Sequence, residues 1–396
     1  MAPPPPPPLV DDVTAEILLL LPPDEPEHLI RAALVCKPWL RIIRDPGFRR
    51  SYRDLHGAPP LLGFLHRLMV FQRDPTARFA STTSMPEFPH PGSGGRRTRP
   101  LDCRHGRVLI HMLPGFLVWD PVTGDMHHLP PEPEEIDWLI YSAAVLCAVD
   151  GCDHLDCRGG PFRVVFVATH EVKNIILASV YSSETGAWSA PVCLDNNTCE
   201  IYARHVLREG RPTPYGLYYT PYLQPRRGAL VGDAVYFTVR EGNGIVKYDL
   251  GKDLLSMIDP PTPDVYYIAL MSMDNNTSLG FACIQGSTLC MWSRKMDTEE
   301  AAEWVQYRAI ELDKTILPVS VDNSSGKPSV VGFAEGVGVI FVSSGVGLFT
   351  IKLSSGQVNK VDGPGEYFSV LPYMSFYLPK TGNGGGQDAT DLLHST

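Results

Sequence analysis

Cys147, Cys152 and Cys157 fall in the stretch CAVDGCDHLDC, with four residues between successive cysteines and Asp150, Asp153, His154 and Asp156 among them. Thiolate and imidazole are donors that zinc takes readily. Structural zinc sites, however, usually combine one short pair with a second, distant pair, and only Cys193 and Cys199 lie near in sequence. The stretch therefore reads as a polar loop joining two strands, with no metal. Such a loop on a rigid scaffold can still touch a target. His127 and His128 follow a hairpin turn and read as exposed strand residues. The glycines of GSGG at 92–95 lie among arginines and not after a strand, which argues against a phosphate cradle. No G-x-S-x-G elbow, Walker loop, H-E-x-x-H or C-x-x-C occurs. Nothing here is arranged for covalent chemistry, so no catalytic residue and no cofactor is expected.

The elements that would position these groups repeat along the chain. An apolar strand, a polar turn with glycine, a second strand and often proline recur as GFLVWDPVTGDMHHLPP (115–131), ILASVYSSETGAWSAP (176–191) and GIVKYDLGKDLLSMIDPP (244–261). Two further copies are diverged, at 286–312 and 346–363. Another apolar strand precedes each, at 107–113, 162–169, 233–239, 278–284 and 338–344. This period is that of a four-stranded blade and predicts a β-propeller over 61–379. Five units are visible. A sixth is expected from 61–100 together with YFSVLPYMSFYL (367–378), closing the ring with both ends of the chain; seven blades and a β-sandwich are the alternatives. Trp119, Trp188, Trp292 and Trp304 are expected to pack between blades. The segment 85–100 reads as a long loop, and residues 1–8 and 380–396 read as disordered tails.

Residues 9–57 are helical in pattern. Asp11 or Asp12 would cap a first helix ending at Leu21, where Pro22-Pro23 stops it. Asp24 and Glu27 resemble a capping box for a second helix running to Arg44, with Pro38 bending it at 34–38. Asp45-Pro46 opens a third helix that ends at Gly57. The second helix carries one stripe of Leu29, Ala33, Cys36, Leu40 and Ile43, and beside it another of Val35, Trp39 and Ile42. Three short helices make a marginal core and cannot cover both stripes and the Val13, Ile17, Leu18, Leu21 face. Either the β domain or a foreign helical partner covers the excess, and the pattern alone does not choose.

LVDDVTAEILLLLPP followed by LIRAALVCKPWLRIIRDPGFRRSYRDLHG resembles an F-box. The stretches at 58–67 and 143–171 are similar to the C-terminal regions of grass F-box proteins. The resemblance implies an α+β multidomain chain, a three-helix F-box at 9–57 ahead of the propeller-like domain. It implies the substrate-recognition subunit of a Skp–cullin–F-box ubiquitin ligase, which is not itself an enzyme. Its partners would be a Skp-family adaptor, cullin through it, and a target protein. By motif position, Leu9, Val10, Ile17, Leu18, Leu21, Pro22, Val35, Cys36, Trp39 and Ile42 are the implied adaptor contacts or their support, with Trp39 as the leading hot spot. Val10 stands where the family has proline, so the opening turn is less rigid. A scaffold or sensor outside any ligase, and a propeller-based hydrolase or lyase, are the competing classes.

Composition agrees with a globular chain and excludes other classes. The 396 residues are 44% hydrophobic and 20% charged, with a net charge of −10. No basic stripe is present to neutralise phosphates, so nucleic acid is not expected as a partner. The apolar run Ile17–Leu21 is five residues long, whereas a bilayer requires about 20, and six prolines with no basic n-region precede it, unlike a signal peptide. Nine scattered cysteines read as reduced thiols of the cytosol or nucleus, and Asn275–Thr277 as a turn instead of a glycan site.

Overall fold

The computed structural model describes residues 10–68, 79–84, 87–88, 91, 98–112, 115–131, 138–152, 154, 157, 159–170, 175–194, 222–240, 244–258, 268–273, 277–295, 303–312, 316, 328–365 and 367–378. The two expected tails, the GSGG stretch and Asn275–Asn276 lie outside the described residues.

Four helices, not three, precede the strands: α1 (Asp11–Leu19), α2 (Pro26–Val35), α3 (Lys37–Arg44) and α4 (Pro46–His56). The expected bend at 34–38 is a complete break. Cys36 is extended (φ −161°, ψ 159°), which puts Pro38 in the first turn of α3, where its missing N–H has no helical partner to lose. The cost of a proline in a helix interior is thereby avoided. Two of the expected caps do not form. Val10 is the N-cap of α1, leaving Asp11 and Asp12 in the first turn, where their charge favours the helix dipole. Glu25 precedes α2 without a side-chain cap, and Glu27 pairs with Arg31 one turn on, at 3.3 Å. The α4 cap is as expected: the Asp45 carboxylate accepts from the backbone N–H of Gly47 (2.8 Å) and Phe48 (3.1 Å), and Gly57 closes the helix at φ 67°.

The remaining strands form six antiparallel sheets, the blades of a β-propeller. Blade one holds Leu61–Leu68 between Phe79–Ser81 and Tyr367–Met374. Blade two runs over 98–128, blade three over 138–193, blade four over 222–258, blade five over 269–311 and blade six over 329–362. The hairpins follow the repeated phrase. In its Thr-Gly turns, Gly124 and Gly186 take φ 76° and 68°, open to glycine without strain. Each donates its N–H to the carbonyl four residues back, Asp120 and Ser182, at 2.8 and 2.9 Å. One expected loop is partly a strand: Thr98–Arg104 begins blade two inside the 85–100 stretch. Pro100, which cannot donate to a ladder, sits beside the register shift at Pro100/Asp102.

Blades stack through apolar faces. Trp119 of blade two is buried with Leu65, Phe79, Leu371 and Tyr373 of blade one. Trp188 packs against Phe116 and Phe166 and donates to the Pro130 carbonyl at 3.0 Å. Trp292 and Trp304 lie against the cluster joining blades four and five. The inter-blade tryptophans therefore sit as the repeat predicts.

Closure joins distant parts of the chain. Phe64 pairs with Pro372, Leu65 with Leu371 and His66 with Val370, and both neighbours of blade one lean on that sheet. Deleting 367–396 removes one of its three strands together with Val370, Leu371 and Tyr373, and so exposes the buried Phe64, Leu65 and Trp119 that share their clusters. The truncated chain is expected to lose its cooperative unfolding transition and to enter the void volume on gel filtration.

Candidate functional site

The helices build a small core and leave a large part of their apolar surface outside it. Leu18, Leu29, Ala32, Ala33, Ile43, Phe48 and Tyr52 are buried together, joined by Phe376 and Leu378 from the segment that follows the closing strand. The β domain thus supplies two side chains to this core. Polar stitches fix the helices: the Tyr52 hydroxyl donates to the Leu21 carbonyl at 2.8 Å, His56 Nε2 lies 2.9 Å from the Leu19 carbonyl, and Arg41 reaches Asp11 at 2.8 Å. Burial pushes the Tyr52 phenol up, with a smaller push from Asp24, so it stays a donor. Tyr52→Phe is expected to cost about 1–2 kcal/mol, measurable as a lower urea midpoint.

Outward along α1, Val10 (65% exposed), Val13, Ile17 (48%) and Leu20 (74%) follow i, i+3, i+7, i+10 spacing. At the α2–α3 junction Leu34, Val35 (64%) and Cys36 are also exposed. Of the residues singled out in the sequence, Val10, Ile17, Val35 and Cys36 are on the surface, Leu21, Pro22, Trp39 and Ile42 are half-buried, and Leu18 is in the core. Leu9 lies outside the described residues. Leu20 and Leu34 were missed; the i+3 step from Ile17 identifies the first, while the second is visible only once the helix breaks after Val35. Scattered exposed leucines are ordinary. Two concentrated sets on so short a bundle form a candidate interaction surface.

On the propeller side, the segment Gln224–Gly228 bridges five blades. Asp102 of blade two is fully buried and accepts from the backbone N–H groups of Cys103 and Val145, both at 2.9 Å. Arg227 pairs with Asp102 at 3.1 Å and with Glu335 of blade six at 3.4 Å. Burial works against the charge on Arg227, but Glu335 and Asp102 outweigh it and push its pKa up. Arg226 donates to the carbonyls of Ile268 and Val330 at 3.2 Å each, and its own carbonyl accepts from Ser142 Oγ at 2.7 Å. Arg104 completes the set, donating to the Gly228 carbonyl at 2.6 Å.

A cavity of about 720 Å³ separates this hub from the helices, with Arg49, Arg53, His105, Arg227, Glu335 and Phe376 on its walls. Burial, the neighbouring His154 and nearby arginines depress His105 to about 2, so the ring stays neutral. The Cys103 thiol in the same wall is pushed up, chiefly by burial. A thiol pushed up by burial and an imidazole pushed down by it are a weak acid and a weak base, ill matched as a nucleophile–base pair. The cavity suits a binding role.

The cysteine loop departs from its sequence reading. The spacing, lacking a second cysteine pair, argues against a metal centre; the structure brings Cys147, Cys152, His154 and Cys157 together, with donor atoms all within 4.8 Å of one another. The fourth donor is the histidine between the cysteines, and Cys193 is not needed. His127 and His128 are exposed strand residues, as expected.

Residues 8–51 match the F-box domain family. No curated protein matches the chain. Among solved structures it is similar to TolB from Acinetobacter baumannii, with 14% identity and a TM-score of 0.40 over 85% of this chain and 73% of that one. It is also similar to a chain of the mitotic checkpoint complex, with 12% identity and a TM-score of 0.34 over 75% of each. Neither likeness bears on function.

Proposed function

Because the chain carries an F-box domain ahead of a six-bladed β-propeller, we propose that it is the substrate-recognition subunit of a Skp–cullin–F-box ubiquitin ligase. An F-box implies binding to a Skp-family adaptor. The observation that carries the reading is the pair of exposed apolar sets, Val10–Val13–Ile17–Leu20 on α1 and Leu34–Val35–Cys36 at the α2–α3 junction. Helix side chains of this kind dock against a complementary apolar groove. Val10, Ile17, Val35 and Cys36 touch the adaptor, Leu18 supports them from beneath, and Leu21, Pro22, Trp39 and Ile42 shape the edges. Leu9 precedes them in the same role.

The chain performs no chemistry of its own in this role. It holds a target's lysine near a ubiquitin-charged enzyme, converting a bimolecular encounter into a tethered one. The propeller selects the target, in the manner of the grass F-box proteins its sequence resembles, and the complex works in cytoplasm or nucleus. Among the described residues no helix is long and apolar enough to cross a membrane.

Affinity purification of the full chain from plant cells is expected to bring down a Skp-family adaptor and cullin together. Recovery of neither would replace this reading with a free-standing scaffold. Trp39→Ala and Leu18→Ala are poor probes of the interface: Leu18 is in the helical core at 2% exposure and half-buried Trp39 packs against that core, so losing either weakens the fold.

A further inference from the structure

We infer that Cys147, Cys152, His154 and Cys157 form a structural zinc site that clamps the loop between the first two strands of blade three. Cys147 ends the strand Trp138–Cys147, and the other three lie in the loop leading to Phe162–His170. Cys152 Sγ and Cys157 Sγ are 3.6 Å apart, and His154 Nδ1 is 3.5 Å from Cys157 Sγ. Tetrahedral zinc, with bonds of about 2.3 Å to sulfur and 2.0–2.1 Å to nitrogen, requires S···S of about 3.8 Å and S···N of about 3.6 Å. These two pairs already stand close to those separations, and all four donors lie within 4.8 Å of one another.

The ligand chemistry selects the ion. Three thiols and an imidazole are a soft, sulfur-rich set suited to zinc and ill suited to calcium or magnesium. Four protein donors fill a tetrahedron and leave no position for water or substrate, so the site is structural and not catalytic.

Neighbouring groups orient the donors as metal sites require. The His105 ring lies flat against His154, with centroids 4.2 Å apart and planes 4° from parallel. The His154 backbone N–H donates to Cys152 Sγ at 3.4 Å. Arg107 holds the far side of the loop through the carbonyls of Cys157 and Gly160, its guanidinium resting on the Phe162 ring. That cation sits close to a site which, with three thiolates on a divalent ion, carries one net negative charge. His154 itself has φ 59°, a conformation uncommon outside glycine and asparagine. The chain turns there in the way that aims Nδ1 at the sulfurs.

His154 and Cys157 also line the cavity beneath the helices. The metal would therefore set the shape of one wall of the binding face, independently of whether the chain joins a ligase.

The test uses the full chain, purified under reducing conditions without chelator. Elemental analysis is expected to give one zinc per chain, and Cys152→Ser and Cys157→Ser to give less than a tenth of that, while Cys193→Ser retains one. Replacement by cobalt is expected to give the visible absorption of a tetrahedral ion with thiolate-to-metal charge transfer in the near ultraviolet. His154→Asn, which tolerates the left-handed backbone, is expected to shift that spectrum and weaken retention at least tenfold. If the serine variants do not fold, the cobalt spectrum of the unaltered chain decides. Failure of that chain to take up zinc or cobalt overturns the site, as does full metal retention in Cys157→Ser or a Cys152–Cys157 disulfide in place of metal.

Discussion

Replacing both Ile17 and Val35 by glutamate is expected to weaken capture of a Skp-family adaptor at least about 100-fold while the thermal midpoint moves by no more than about 2 °C. Ile17 is 48% and Val35 64% exposed in the free chain, and such surface positions change stability by about 0.5 kcal/mol or less. In a docked complex the same positions would lie against apolar surface. A buried anchor carries about 2 kcal/mol or more, and each 1.4 kcal/mol is about a factor of ten in affinity. An unpaired carboxylate forced into the contact adds its desolvation cost. Two such losses, allowing for non-additivity, give the stated factor. Calorimetric titration with purified adaptor measures it, and a double variant that binds within threefold of the parent would remove this surface from the interface.

Asp102→Ala is expected to destabilise the propeller by about 3–5 kcal/mol, the range for breaking one side of a buried ion pair. The carboxylate is fully buried and holds Arg227, Arg104 and two backbone N–H groups. Among the described residues, its loss leaves the two guanidinium groups with one acidic partner, Glu335, which pairs with Arg227. Asp102→Asn keeps the shape and some hydrogen bonds but not the charge, and should fall between. Asp125→Ala, at an exposed turn, should shift the urea midpoint by no more than about 0.5 kcal/mol equivalent. A change below about 1 kcal/mol for Asp102→Ala would mean that the hub is dispensable.

The repeated hairpins were legible because their turn chemistry is local. A Thr-Gly pair at φ near 70° fixes the reversal, and the apolar runs on either side become strands whatever lies elsewhere. The innermost strands were harder. Thr98–Arg104 contains proline and three charged or basic side chains, Arg99, Asp102 and Arg104, and reads as loop; only the surrounding ring makes a carboxylate at 102 a buried partner for Arg227. Gln224–Gly228 has the same character: two adjacent arginines look solvated in the sequence and are structural in the fold. The break at Cys36 splits what reads as one bent helix into two, and Leu34, just before the break, is exposed. The zinc cage was missed for a different reason. Spacing rules assume two separated pairs, whereas here one loop folds back on the end of its own strand.

The last strand of blade one and the side chains of Phe376 and Leu378 come from the far end of the chain, yet they complete both the ring and the helical bundle at its start. A nascent polypeptide must therefore keep its earliest helices waiting, partly unsheltered, until residue 378 clears the ribosomal tunnel. Synthesis that stalls before that point yields neither a closed disc nor a finished docking module, so prematurely terminated copies are poor competitors for a shared partner and ready clients for chaperones.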